Sequence, residues 1–144
     1  MLALRYNCEF TGIDISSSII KDASHRNRKL IKRGQLQFVC QDISKTSFAD
    51  SSFDMAYSIN TVYFWESLEE TMAAIRRVLK PDGIFVNALY TDETLSRFSH
   101  TRIGYKRYTQ SQLTEAGENV GFFVNTVPIL NGDAYCVLYK NERG

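Results

Sequence analysis

Hydrophobic residues recur with two different periods along the chain. Between about residues 17 and 33, and again after Ser67, apolar residues are spaced as on one face of a helix. Four short β-prone runs span residues 9–14, 36–41, 53–59 and 84–90. Strands that alternate with amphipathic helices predict an α/β fold with a mostly parallel sheet and helices on both faces.

Capping signals predict where the helices begin and end. Ser16 or Ser17 can cap the first helix, and Gly34 suits its C-terminal stop. The Lys-Pro-Asp-Gly sequence at 80–83 is predicted to stop the helix that follows Ser67. Capping-box spacing occurs twice, in Ser67 with Glu70 and in Thr109 with Gln112.

The C-terminal part of the chain predicts a hairpin. Residues 122–127 and 134–139 are strand-like, and turn-forming residues at 131–133 separate them, so these two strands should be antiparallel. The whole pattern is that of a Rossmann-like sheet in one domain, residues 1–144, which binds its ligands at the carboxyl ends of the strands.

Composition narrows the class of partner. Seventeen basic against sixteen acidic residues give a net charge of +1, which provides no field for steering onto nucleic acid or an anionic membrane, so a small-molecule partner is favoured. Three cysteines without C-x-x-C spacing indicate a reduced, cytoplasmic protein. Neither a membrane span nor a signal peptide is visible in the sequence.

Three segments, in this order and spacing, resemble the class I S-adenosylmethionine-dependent methyltransferase family. They are Thr-Gly-Ile-Asp-Ile-Ser at 11–16, Ser-Phe-Asp-Met-Ala-Tyr-Ser at 52–58 and Ile-Arg-Arg-Val-Leu-Lys-Pro-Asp-Gly at 75–83. The similarity is greatest to the branch of ubiquinone and menaquinone biosynthesis. It runs from roughly residue 3 to the C-terminus.

The resemblance implies a sheet whose first strand leads into a glycine-rich turn that holds the methionine part of the cofactor. Residues 1–6 resemble the last turns of the helix after that turn, so the first strand and the loop are expected to be absent. Dimerisation would be one way to pair the strands left without a neighbour. The functional alternatives are therefore methyl transfer to a small molecule and an inactive, truncated protein with a structural or dimeric role.

The resemblance also assigns cofactor contacts. Asp14 would accept hydrogen bonds from the ribose hydroxyls, with Ile15 beside it. Asp42 and Ile43 would contact adenine, and Asn60 would lie beside the methionine part. Each aspartate also has a purely local interpretation, because Asp14 could cap a helix and Asp42 could close a turn.

Tyr63, Phe64 and Trp65 are expected to line the acceptor pocket, although aromatic residues also fill cores. Methyl transfer needs alignment more than a protein nucleophile, so no catalytic residue is assigned. No metal site is expected, because His25 and His100 lack ligand spacing. Residues 91–108 form a long connection that either carries substrate specificity or only joins two elements.

A nicotinamide-dependent dehydrogenase would also place an acid after the second strand, but it requires a G-x-G-x-x-G turn before that acid. The terminal hairpin and the segment at 75–83 favour the methyltransferase. The basic residues between 21 and 33 are interpreted as a solvated helix face rather than a phosphate site.

Overall fold

The structure is a computed structural model that describes residues 8–142. The chain divides into two compact units, residues 1–46 and 47–144. The expectation of one domain stays a prediction. The helix end expected at residues 1–6 lies outside the described residues.

The first unit is a strand–helix–strand unit. Strands β1 (Phe10–Asp14) and β2 (Leu36–Cys40) pair in parallel, in continuous register along their whole length. Helices α1 (Ser17–Arg26) and α2 (Arg28–Lys32) connect them. Among residues 8–46, Leu30 of α2 is the only fully buried hydrophobic side chain, so this unit has a thin core.

The single helix predicted over about 17–33 is wrong, because two helices meet at Asn27. The Asn27 backbone leaves the helical region, with φ −111° and ψ 19°, and its side-chain amide donates to the Ala23 carbonyl over 2.8 Å. Asparagine side chains compete with the backbone for hydrogen bonds in this way. The predicted ends are confirmed: Ser16 caps α1 through the Ile19 amide, and Gly34 has φ +68°.

The second unit is built on a four-stranded sheet in the order β3-β4-β6-β5. Strands β3 and β4 are parallel, whereas β6 is antiparallel to both β4 and β5. The α/β class, the Rossmann-like alternation and the C-terminal hairpin are thus confirmed. The elements are β3 (Phe53–Ile59), α3 (Leu68–Val78), β4 (Leu79–Tyr90), α4 (Asp92–Ser96), α5 (Gln110–Asn119), β5 (Phe123–Ile129) and β6 (Ala134–Lys140).

Helices α3 and α5 cover one face of this sheet. Thr109 and Gln112 form a complete capping box at the start of α5, whereas at α3 only the Ser67 hydroxyl bonds the Glu70 amide. Burying an aliphatic or aromatic side chain contributes about 1.5–3 kcal/mol, so packing of this kind stabilises the unit. The fully buried side chains include Met72, Ile75, Phe85, Leu89, Leu113, Val137 and Tyr139.

The predicted end of the helix before the turn at 80–83 is confirmed, but the turn itself lies within a strand. Helix α3 ends at Val78, and β4 already includes the turn. The left-handed residue is Asp82, with φ 61°, and its amide donates to the Asn141 carbonyl over 2.9 Å. Gly83 is required for space instead, because a Cβ there would lie 2.8 Å from the Lys80 carbonyl oxygen.

The long connection at 91–108 has structure of its own. It holds α4 and a 3₁₀ turn, Ser99–Arg102. The Arg107 guanidinium bonds the Asp92 carboxylate over 3.0 Å and the Thr101 carbonyl over 3.2 Å, which ties the end of the segment to its start. In the part of the chain that the structure describes, no helix has the length and apolar character needed to cross a membrane.

We expect Gly117→Ala to destabilise the protein, although alanine in place of glycine normally stabilises a helix by about 1 kcal/mol. The new Cβ would lie 2.5 Å from the Tyr139 ring, and that ring is stacked on Phe85 and bonded through its hydroxyl to the Leu113 carbonyl. Overpacking of this kind lowers the free energy of unfolding by about 1–3 kcal/mol, which urea unfolding would measure.

The matched control is Glu118→Ala, an exposed position on the same helix, which should change the unfolding free energy by less than about 0.5 kcal/mol. A Gly117→Ala protein as stable as the wild type would contradict the close packing of α5 on β6.

Candidate functional site

One end of the first unit's sheet gathers four of the residues predicted to bind the cofactor. Asp14 ends β1, and Asp42 follows β2 by two residues. The two chain segments are joined there, because the Gln41 amide donates to the Asp14 carbonyl over 3.1 Å. Ile15 and Ile43 follow the two aspartates directly, so all four lie at the carboxyl edge of the parallel pair.

Asp14 has its local role and a free carboxylate oxygen as well. Its Oδ1 accepts the Ser16 amide over 2.8 Å, and Ser16 caps α1. No other donor within residues 8–142 bonds this carboxylate, so Oδ2 is available to a ligand. Ile15 is 75% exposed and presents an apolar surface next to it.

Asp42 is arranged in the same way. Its Oδ1 accepts both the amide of Ser44, over 2.9 Å, and the Ser44 hydroxyl, over 2.8 Å. The Ser44 amide, then the hydroxyl and the charge of Lys45, lower the pKa of the Asp42 carboxyl and keep it ionised at neutral pH. Ile43 begins the 3₁₀ turn Ile43–Lys45 that Asp42 caps.

In the second unit, Asn60 marks the end of β3. Its backbone is left-handed, with φ 55°, and its amide donates to the Ala88 carbonyl over 2.9 Å. The Tyr63 hydroxyl donates to Asn60 Oδ1 over 3.2 Å and accepts the Tyr90 amide over 2.9 Å. Desolvation raises the pKa of Tyr63 to about 12, so the hydroxyl keeps its proton at neutral pH.

The three adjacent aromatic residues predicted to line the acceptor pocket lie in different surroundings. Tyr63 is only 2% exposed. Trp65 is half-buried, with its ring 6.2 Å from that of Phe85. Phe64 is 56% exposed and has the only ring of the three that is largely open to solvent.

The sequence suggested that the connection at 91–108 could carry substrate specificity, but it did not predict that its aromatic residues lie against Phe64. The Tyr105 ring lies 4.7 Å from that of Phe64 and 6.3 Å from that of His100. The His100 ring lies 5.7 Å from that of Phe98, which in turn is 5.9 Å from Tyr90. The density of aromatic residues between 98 and 108 was the available signal.

His100 is exposed in the connection at 91–108, and its ring lies between the rings of Phe98 and Tyr105. His25 is exposed on α1. Within residues 8–142, no three His, Cys, Asp or Glu side chains are grouped as metal ligands.

A family model described as a methyltransferase domain matches residues 1–87. The sterol 24-C-methyltransferase of Candida albicans is 30% identical over 130 residues, which are 81% of this chain and 34% of that protein. The chain therefore spans about a third of the length of this curated relative.

Two solved structures are similar in fold. The [4+2]-cyclase SpnF has a TM-score of 0.85 at 16% identity, over 99% of this chain and 69% of that one. The geranyl diphosphate C-methyltransferase of Streptomyces coelicolor has a TM-score of 0.79 at 12% identity, over 100% of this chain and 66% of that one. At these identities the likeness concerns the fold alone.

The match over residues 1–87 covers more than half of the 144 residues. It includes the strand that ends at Asp14 and the strand that ends before Asn60, the positions on which the resemblance in sequence rested. The two methyltransferases named above give no support to the alternative of an inactive protein, and the expected ubiquinone and menaquinone branch stays a prediction. The chain belongs to the class I S-adenosylmethionine-dependent methyltransferase family, whose cofactor is S-adenosylmethionine.

Proposed function

We propose that this chain binds S-adenosylmethionine and serves the transfer of its methyl group to a small-molecule acceptor. The observation that carries the proposal is the pair of aspartates at the carboxyl edge of the β1–β2 sheet. Each uses Oδ1 for a local amide and leaves Oδ2 unbonded by protein groups within residues 8–142. A ligand with several hydroxyl and amino donors fits such a pair.

Asp14 is proposed to hold the ribose hydroxyls. The Ser16 amide fixes the carboxylate in place, so little side-chain freedom is lost when a ligand binds. The exposed Ile15 side chain adds an apolar surface for the nucleoside. The first unit therefore offers both an acceptor for hydroxyl donors and a contact for a ring.

Asp42 and Ile43 are proposed to contact adenine. The Ser44 bonds keep Asp42 ionised, and an ionised carboxylate accepts hydrogen bonds from an amino group. Asn60 is proposed to contact the methionine part, because its Oδ1 is engaged by Tyr63 and its side-chain NH₂ remains to donate. Tyr63 thus acts on the ligand by orienting Asn60.

When bound, the cofactor would supply an electrophilic methyl group on a sulfonium, so that the acceptor's electron pair would bond to the methyl carbon and the thioether would leave with the S–C electrons. The residues of this chain then have to position the ligands and exclude water, a task that needs no protein nucleophile. The sterol and geranyl diphosphate named for two matched proteins support a small molecule as the acceptor. Binding sites for small molecules are usually concave and lined mostly by apolar side chains.

We expect the purified chain to bind S-adenosylhomocysteine in calorimetric titration, and Asp14→Asn to weaken that binding by about 10- to 100-fold. The asparagine oxygen can still accept the Ser16 amide, so the cap is retained while the charged acceptor is lost. A hydrogen bond to a charged group is worth about 1.5–3 kcal/mol, which corresponds to this range.

The matched control is Asp22→Asn, an exposed acid on α1 of the same unit, which should bind like the wild type. A folded wild-type chain that does not bind S-adenosylhomocysteine would overturn the proposal. Equal binding by Asp14→Asn would remove Asp14 from the site.

We expect Tyr63→Phe to cost about 1–3 kcal/mol at pH 8, because the Tyr90 amide loses its acceptor. Below pH 10 the Tyr63 hydroxyl is protonated in both the folded and the unfolded chain. Between about pH 10 and 12 only the folded chain retains the proton. Ionisation of the unfolded chain therefore lowers wild-type stability as the pH rises through this window.

The measurement is urea unfolding of both proteins at pH 8, 10 and 11. The difference in unfolding free energy between the wild type and Tyr63→Phe should become smaller above pH 10. The other tyrosines whose pKa is raised, Tyr108, Tyr135 and Tyr139, are present in both proteins and lower the stability of both equally. A difference that stays constant across these pH values would contradict the buried, protonated state of Tyr63.

A further inference from the structure

We propose that an aromatic platform, made of Phe64, Phe98, His100 and Tyr105, binds the apolar body of the methyl acceptor. Lys106 is proposed to hold the platform in place. The acceptor is accordingly a flat or extended hydrocarbon compound of the sterol or isoprenoid class. This inference rests on the proposed function, because it names the acceptor class for that reaction.

The platform is a row of neighbouring rings, of which Phe64, Phe98 and His100 are exposed and Tyr105 is half-buried. Its rings follow one another at centroid distances of 4.7 Å, 6.3 Å and 5.7 Å, from Phe64 through Tyr105 and His100 to Phe98. Phe64 is 56% and Phe98 40% exposed. Exposed apolar surface that is contiguous, rather than scattered, indicates a binding site.

Ile103 lies in the same connection as three of these rings. It is 88% exposed and stands at the tip of the connection between His100 and Tyr105, next to Gly104 with φ +81°. A large aliphatic side chain at a loop tip gains free energy only by contact with another apolar group.

The cations beside Tyr105 are already bound to protein oxygens. The Lys106 ammonium donates to the Trp65 and Glu66 carbonyls, each over 2.7 Å. Arg107 pairs with Asp92 and with Thr101. Neither Lys106 nor Arg107 is therefore available to hold an anionic group at Tyr105.

Lys106 joins the platform to the 3₁₀ turn that follows β3. Its backbone amide donates to the Tyr63 carbonyl over 3.0 Å. Its ammonium donates to the carbonyls of Trp65 and Glu66, the two residues that follow Phe64. Charge-assisted hydrogen bonds of this kind are roughly twice as strong as neutral ones. Lys106 thus holds Tyr105 against Phe64 without contacting an acceptor itself.

The platform is continuous with the residues proposed to meet the methionine part of the cofactor. The Tyr105 ring lies 5.4 Å from that of Tyr63, whose hydroxyl bonds Asn60. An acceptor on the platform would thus lie next to the end of β3. The similarity to a sterol 24-C-methyltransferase over 130 residues supports a small apolar occupant over a protein partner.

The test uses Trp65, the single tryptophan, as a fluorescence donor to dehydroergosterol, a fluorescent sterol delivered from cyclodextrin. The wild type should show saturable energy transfer, and Phe64→Ala should bind about tenfold more weakly. Because Phe64 is half-exposed, its removal should leave the fold intact, which circular dichroism checks. Phe123→Ala, at a ring 62% exposed on β5, is the matched control and should bind like the wild type.

A second set of variants tests the positioning role. Lys106→Met should weaken sterol binding about three- to tenfold, and Lys106→Arg should restore it, because arginine can still donate to both carbonyls. Lys140→Met is the control, since Lys140 pairs with carboxylates instead. A merely stabilising lysine would change the melting temperature but not the sterol affinity measured well below it.

The experiments distinguish a failure of the proposed function from a failure of the aromatic platform. If the chain binds S-adenosylhomocysteine but shows no transfer to dehydroergosterol, or transfer that Phe64→Ala and Phe123→Ala weaken equally, the apolar acceptor and the platform are wrong while the proposed function stands. If sterol binds on the platform and S-adenosylhomocysteine does not bind, the platform stands as a sterol-binding surface and the proposed function is wrong.

Discussion

The Tyr63 hydroxyl joins the carboxyl ends of two adjacent parallel strands. It donates to the side chain of Asn60 after β3 and accepts the backbone amide of Tyr90 at the end of β4. A buried hydroxyl that both donates and accepts satisfies two groups at once, and the loss of either partner would leave a buried polar group unpaired. The orientation of Asn60 and the base of the aromatic platform both depend on this residue.

The two aspartates proposed to bind the cofactor are held by ordinary local hydrogen bonds. Each carboxylate has one oxygen occupied by an amide two residues further along the chain. That bond belongs to ordinary helix and turn capping, and it also fixes the direction of the second oxygen. The local and the ligand-binding interpretations of Asp14 and Asp42 are therefore compatible, because they use different oxygens.

The connection at 91–108 is ordered by many weak polar contacts rather than by a core of its own. Thr101 bonds the carbonyls of Leu95 and Phe98, and Arg97 pairs with Glu93 and Asp133. Exposed ion pairs contribute little one at a time, about 0–1 kcal/mol each. Together with the Lys106 bonds, they tie the connection together where its Tyr105 ring lies against Phe64.

The amino-acid sequence by itself determined what depends on near neighbours in the chain. The capping box of Thr109 and Gln112, the stop at Gly34, the strand over 53–59 and the antiparallel hairpin were all predicted from residues a few positions apart. The positions of Asp14 and Asp42 at strand ends followed from the same short-range patterns.

Only the tertiary structure decided the rest, because it depends on contacts between distant residues. The break at Asn27 arises from a side-chain bond that competes with the helix, and the need for Gly83 arises from a carbonyl that the turn brings close. The separation of Tyr63, Phe64 and Trp65 into different surroundings follows from what packs on each of them. Tyr105 meets Phe64 across 40 intervening residues through Lys106, which bonds the carbonyls that follow Phe64. No periodicity in a single sequence records contacts of that range.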